Sequence, residues 1–308
     1  MHSLFPVLAL LFNALVWGLS WWPFRTLHGA GLHPLWATAL MYGLALASLL
    51  ALRPGVLRLA LPHRGLWLLA LASGLTNVCF NWAVTVGDVV RVVLLFYLMP
   101  AWSVLLAWKG LGEAPTRLAV LRLVLAFAGV ALVVLPPGAT LAQFASGLSG
   151  ATLAQFASGL SGADLLALCG GFTFALTNVT LRRLRQVPGP ARMLAMFGGG
   201  ALMAAISAGL GLAAGVVTAP PALALGWALV ALGLALAFWL GNHALQFGAS
   251  RLAAGTTALV MLSEVVFASA SSWLLAATVL APRTLAGGAL ILLAALLAIL
   301  PHRRAAAH

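Results

Sequence analysis

The chain has 308 residues, 63% of them hydrophobic and 6% charged, with long uncharged runs, which excludes a soluble globular protein and places it in the membrane class. Its formal net charge of +12 does not point to nucleic acid, because the basic residues stand a few at a time in short gaps between apolar runs, a pattern that orients helices. Cys79 and Cys169 each lie inside an apolar run, so neither a disulfide framework nor a CxxC metal site is expected.

Taking about 20 apolar residues as one crossing, the sequence predicts an all-α membrane protein of ten transmembrane helices, over 4–23, 33–52, 65–86, 90–108, 117–135, 163–181, 192–217, 223–247, 254–275 and 284–300. The first run has no Lys or Arg before its apolar core and no small-residue cleavage site after it, so it reads as a spanning helix and not as a signal peptide. With the N-terminus inside, thirteen Lys/Arg fall on the inner side and three, Arg25, Arg91 and Arg283, on the outer side. That imbalance predicts a multi-pass protein of a bacterial-type inner (plasma) membrane with both termini in the cytoplasm.

The chain also reads as one unit used twice. Asn81, Ala83 and Gly87 recur as Asn242, Ala244 and Gly248; Trp17-Gly18-Leu19-Ser20 with Arg25 matches Phe174-Ala175-Leu176-Thr177 with Arg182; Met41-Tyr42-Gly43 matches Met196-Phe197-Gly198. Five helices per half is an odd number, so the second half enters the membrane upside down, giving an inverted repeat with the working site at the interface of its halves. The expected division is a first five-helix repeat at 1–135, an external linker at 136–162, and a second repeat with a short basic tail at 163–308. Within the linker, ATLAQFASGLSG at 139–150 recurs identically at 151–162. Functional repeats drift, so this copy is assigned no function.

Leu15-Val16-Trp17-Gly18-Leu19-Ser20 in the first helix, Tyr97-Leu98-Met99-Pro100 in the fourth and Leu111-Gly112-Glu113-Ala114-Pro115-Thr116 after it resemble the EamA family of the drug/metabolite transporter superfamily. The second half departs from that pattern, with Glu264 in the place of Pro100 and no Gly-Glu before Thr284. The resemblance implies a ten-helix metabolite exporter of the inner membrane, with amino acids a frequent substrate class and aromatic-amino-acid exporters of the YddG type one branch.

Trp17 and Trp21 lie on one face of the first helix with Asn13 and Phe24, where aromatic groups can hold an apolar side chain or a cation; for Trp21 a place in an interfacial belt is equally open. Asn77 and Asn81 lie four apart on the third helix, and Asn242 and Gln246 four apart on the eighth with His243 adjacent; Phe174 and Asn178 share a face of the sixth. In hydrocarbon these amides must meet partners or water, so interhelical bonding and substrate contact are both open. Pro100 interrupts the fourth helix, as a hinge or a static bend, with Tyr97 one turn before it. Asp88, Glu113 and Asp164 map to helix ends, where capping accounts for them, whereas Glu264 lies deep in the ninth helix. His243 is its expected inward partner, with Arg251 towards the helix end, and Glu264 is open to two roles: a buried structural pair, or a proton or substrate-amine site.

These residues predict a secondary transporter, not an enzyme, that exports a small metabolite, an aromatic or other apolar amino acid, by alternating access through a central cavity, with protons as a candidate coupling species. No GxxxxGK[ST] motif is present and no cofactor or metal is expected. One alternative is a multidrug or cationic-metabolite efflux carrier. Another is a rhomboid-like intramembrane serine protease, because Gly147-Leu148-Ser149-Gly150 and its copy ending in Ser161-Gly162 match GxSG and His243 lies in a later helix.

Overall fold

The structure of the protein is a computed structural model that describes residues 4–111, 116–134, 159–249, 251, 260–261, 263–276 and 281–299. Among these residues all regular structure is helical: α1 (Phe5–Leu19), α2 (Trp21–Gly29), α3 (Pro34–Leu52), α4 (Val56–Ala60), α5 (Gly65–Val86), α6 (Val89–Phe96), α7 (Met99–Leu111), α8 (Arg117–Val134), α9 (Gly162–Arg183), α10 (Gly189–Ala213), α11 (Leu225–Ala249), α12 (Ser263–Ala276) and α13 (Pro282–Ile299). Seven stretches are long and apolar enough to cross a membrane: α1 with α2, α3, α5, α6 with most of α7, α9, α10, and most of α11. The protein is a multi-pass membrane protein. Large apolar side chains such as Phe5, Trp67, Leu232, Trp273 and Leu274 point outward, while Asn13, Thr38, Asn81 and Ser272 are fully buried. That inversion suits lipid, which leaves polar groups to be satisfied inside.

Helix breaks follow from missing backbone donors. Pro23 has no N–H for the Leu19 carbonyl, and α1 gives way to α2 at Ser20, whose N–H bonds the Trp17 carbonyl instead (3.2 Å). The first helical run then extends to Gly29, six residues beyond the expected end. Gly31 stops it at φ 90°, with Gly31 N–H bonding the His28 carbonyl and Leu32 N–H the Leu27 carbonyl, both at 2.9 Å. Pro100 acts likewise: with no N–H for the Phe96 carbonyl, α6 ends at Phe96 and α7 starts at Met99. The fourth predicted helix is therefore two segments with a turn at Tyr97–Leu98.

The central helix α5 packs against α9 and α10; α3 lies on α10, α1 on α11 and α12, α9 on α6 and α7, and α8 on α13. Small residues allow these approaches. A Cβ on Gly129 of α8 would lie 2.6 Å from the Gly287 carbonyl oxygen of α13, and one on Gly287 would lie 2.6 Å from that of Gly129. Gly87, just after α5, fits against Ala163 of α9, and Gly248 of α11 fits against Pro6 and Leu10 of α1. Asn77 and Asn81 meet α3: Tyr42 donates its hydroxyl proton to Asn77 Oδ1, and Asn81 Nδ2 donates to Thr38 Oγ1 at 3.0 Å.

At one end of the bundle Arg25 donates to the carbonyls of Thr85 (3.2 Å) and Gly87. Arg91 holds Asp164 with two bonds of 2.8 Å, and Asp164 completes a capping box with Ser161 at the start of α9. Asp88 caps α6 through the Arg91 N–H (2.8 Å). Glu113, nearly all of the 136–162 linker, and the tail after Ile299 lie outside the described residues.

The two cysteines are not remote from each other. Both are free, and Cys79 of α5 and Cys169 of α9 are neighbours across the packing of these two helices. With a protease site placed in the 136–158 linker, copper-phenanthroline oxidation is expected to hold the two cleaved fragments together on a non-reducing gel, and Cys169→Ser to release them; separation in the wild type would contradict this packing. His33, outside the spanning helices, caps α3 by accepting the Leu35 N–H at Nδ1 (3.3 Å). Burial, and secondarily His28, pushes its imidazole below the ordinary histidine value. The folded state thus binds the proton less readily than the unfolded chain, so the cap's contribution is present above the unfolded value and lost as pH falls through the folded one. His33→Asn, which keeps the cap acceptor, should remove that acid-side loss in thermal melts taken across the pH range.

Candidate functional site

Aromatic rings from five helices meet in a continuous row through the centre. Trp17 of α1 stands edge-on to Phe80 of α5 (centroids 5.8 Å apart) and to Phe238 of α11 (4.6 Å). Phe80 contacts Phe96 of α6 at 4.7 Å, and Phe96 contacts Phe174 of α9 at 5.4 Å and Tyr97 at 6.4 Å. The broken helix places this end of the row. The Phe96 carbonyl left without a helical donor lies against Gly171, where a Cβ would be 2.6 Å from it. No larger residue fits there without moving the break.

Beyond the row stands Glu264 of α12, buried, and set against α1 because Gly18 has no Cβ to meet its carbonyl oxygen at 2.9 Å. The Tyr97 hydroxyl lies 3.1 Å from Glu264 Oε2 and 3.1 Å from the Met261 carbonyl oxygen. Tyr97 has one proton and faces two acceptors, so both contacts are full hydrogen bonds when the carboxyl carries a proton of its own to donate to the phenol oxygen. Met261 also touches Asn13, whose Nδ2 lies 3.5 Å from Sδ and whose Oδ1 is buried with no hydrogen bond among the described residues. Two turns along α12, Ser271 accepts the Trp21 indole N–H at 3.0 Å, and Arg25 stacks over that indole at 5.0 Å.

Of the residues singled out in the sequence, Trp17, Tyr97, Phe174 and Glu264 share this centre, and Trp21 adjoins it while Trp22 points outward. Asn77 and Asn81 face α3 instead. Asn242 donates to the Phe238 carbonyl of its own helix (2.9 Å), and Asn178 is half-buried without a side-chain hydrogen bond among the described residues. The structure does not bring His243 to Glu264: it is exposed, bonded to the Trp239 carbonyl at 2.8 Å and stacked on the Trp239 ring. Arg251 bonds the Phe247 carbonyl and lies over that ring. Tyr97 takes the place expected of His243, because its position one turn before Pro100 faces it across to α12. The protease alternative needs a serine at His243, yet Ser161 is a helix cap, and Ser149 lies outside the described residues.

Phe80, Phe96 and Phe238 were not singled out. Phe238 was legible, since it lies one turn before Asn242, where the first half has Asn77; Phe96 is next to Tyr97; Phe80 lies one turn after Thr76, which bonds Thr173 of α9 at 3.1 Å.

The sequence profile of the EamA-like transporter family matches residues 4–135. Over that segment the chain is similar to the EamA-like transporter family. The matched segment holds the Trp17, Phe80, Phe96 and Tyr97 side of the centre, and Glu264 lies beyond it. A crystal structure described only as that of a protein is similar over 95% of this chain and 96% of its own, at 20% identity and a TM-score of 0.55, a likeness of fold. Among curated proteins no sequence match was found.

Removing the Tyr97 hydroxyl leaves the buried carboxyl without its described partner. Tyr97→Phe is expected to lower stability by about 1.5–3 kcal/mol, the range for a hydrogen bond to a charged group, measured by thermal or denaturant unfolding in detergent; an unchanged melt would show that the contact does not hold α6 to α12.

Proposed function

We propose that this protein is an EamA-like transporter, a secondary carrier that exports a small metabolite bearing an amino group and an apolar or aromatic body, amino acids included, by alternating access around the centre shared by α1, α5, α6, α9, α11 and α12. The observation that carries this reading is the Tyr97–Glu264 contact: a buried acid, at the break of one helix and the start of another, at the end of a row of aromatic rings. Such an acid at membrane depth is a functional-site hypothesis by default. The broken α6–α7 pair supports a hinge at Pro100, and protons are the coupling species that a buried carboxyl suits.

Packing supports the reading of two inverted five-helix halves, 1–135 and 163–308 joined by 136–162. Exchange α1/α2 with α9, α3 with α10, α5 with α11, α6/α7 with α12 and α8 with α13. Under that exchange α5–α9 becomes α11–α1, α5–α10 becomes α11–α3, and α1–α12 becomes α9 against α6 and α7, while α3–α10 and α8–α13 return to themselves. Each of these is an observed packing. The repeat-related Gly87 and Gly248 both admit the opening turns of the helix that begins the other half. With α8, α12 and α13 spanning as well, the count is ten. Cytoplasmic termini in an inner membrane follow from the thirteen-to-three charge count, and two of the three outer cations are bound to backbone carbonyls or to Asp164.

In proteoliposomes loaded with labelled amino acids, the protein should release those with apolar or aromatic side chains. Folded Glu264→Gln should lose net movement by about tenfold or more, as expected when a charged hydrogen-bonding partner is removed. Wild-type rates in a well-expressed Glu264→Gln carrier would contradict the role of the acid, and a reporter at His308 active only in the periplasm would contradict the orientation.

A further inference from the structure

We infer that the central site reads its substrate through the ammonium group alone and does not read a carboxylate, so that arylalkyl amines and amino-acid amides are substrates at least as good as the parent amino acids. The inference rests on the carrier reading above and adds the chemical class.

Beside Tyr97 and Met261, the carboxyl and amide oxygens without a partner among the described residues are acceptors. Among the described residues Glu264 forms no ion pair and uses only Oε2, towards Tyr97. Asn13 Oδ1, on the other side of Met261, is buried and unpartnered while its Nδ2 is turned to the Met261 sulfur. One ammonium has three donors, and an anionic oxygen with an amide oxygen is a matched pair of partners for them. The aromatic faces of Phe80, Phe96 and Phe174 then take the apolar body, and Trp17 adds an indole face, which attracts cations.

The donors around Glu264 that a carboxylate requires are committed elsewhere, and the buried donors without a partner among the described residues, Trp102 Nε1, Arg122 Nε and Nη2 and Arg192 Nε, lie on α7, α8 and α10, none of which is a principal neighbour of α12. Tyr97 gives its proton to Met261 or Glu264, and Trp21 gives its N–H to Ser271. Of the nearby cations, Arg25 of α2, which meets α12 through Trp21 and Ser271, is bound to the Thr85 and Gly87 carbonyls, and Arg91 of α6, which packs on α12, to Asp164 and the Gly159 carbonyl. Arg122, a further buried guanidinium, is on α8, whose chief neighbour is α13. The Trp17 N–H is a neutral donor and carries no charge to offset a carboxylate. A substrate carboxylate placed here is desolvated beside Glu264 without a cation, which disfavours it.

The test is calorimetric binding to the purified full chain of five probes that share a phenyl group: phenethylamine, phenylalaninamide, phenylalanine, N-acetylphenylalanine and 3-phenylpropionate. The two amines without a carboxylate should bind as tightly as phenylalanine or tighter, and the two probes without an ammonium should bind about tenfold to a hundredfold more weakly, the worth of one charged hydrogen-bonding partner. Glu264→Gln should flatten that preference; should it fail to fold, the wild-type series still decides. Phenylalanine binding tenfold more tightly than phenethylamine, or 3-phenylpropionate matching it, overturns the inference and leaves the carrier standing. If none of the five binds while another solute is transported, the ammonium assignment falls alone; if no solute binds or moves, the carrier reading falls with it.

Discussion

The carbonyl of Phe96 has no helical donor because the residue four places on is Pro100, and in an apolar interior that missing bond has to be accommodated by neighbouring helices. Gly171 brings α9 against the freed carbonyl, which seats Phe174 on Phe96. The turn that replaces the helix begins at Tyr97, whose hydroxyl reaches across to α12 and meets Glu264. On α12 the same acid sits close to α1 because Gly18 leaves room for its backbone. Proline and two glycines thus set the distance between the aromatic row and the carboxyl, and chemistry at the centre depends on backbone that cannot hydrogen-bond in the ordinary way.

Around that centre the protein is held by close backbone approaches, since lipid supplies no hydrophobic drive between helices. Gly199 against the Ala70 carbonyl oxygen is the tightest of the described crossings, Gly74 with Gly199 and Gly129 with Gly287 are close as well, and a ladder of Asn77–Tyr42 and Asn81–Thr38 ties α5 to α3. Amides and aromatic row are therefore separated by side of α5: its asparagines face α3, and Phe80 faces the aromatic row. At one end the bidentate Arg91–Asp164 pair joins α6 to α9. Its strength lies between the ~1 kcal/mol of an exposed pair and the ~3–5 kcal/mol lost on breaking a buried one, because Asp164 is buried and Arg91 a quarter exposed.

The seven apolar runs that reach spanning length among the described residues were legible because run length and hydropathy are local quantities, and Pro100 announced the broken helix by its missing donor. The extension to Gly29 was missed because the apolar run ends at Phe24, whereas the stop is a backbone event at Gly31. Which way a polar residue faces was harder to read. Asn77 and Asn81 have the same spacing of four as Thr38 and Tyr42, a match visible in the sequence only once α3 and α5 are known to be neighbours. His243 carried a chemical suggestion, but one residue's rotation around α11 from Asn242 turns it outward onto Trp239. Trp21 and Trp22, adjacent and alike, divide between the interior and the outside for the same reason.

The central claim is that Glu264 is a substrate-facing acid and not a sealed structural one. A hydrophobic carbodiimide, which modifies carboxyls in apolar surroundings, tests it directly in a chain with four acids, Asp88, Glu113, Asp164 and Glu264. Peptide mapping by mass spectrometry should find the adduct on Glu264 and should find it suppressed when the protein is saturated with a transported amine. An adduct at Glu264 that forms at the same rate with and without that amine, or no adduct there at all, would contradict the account.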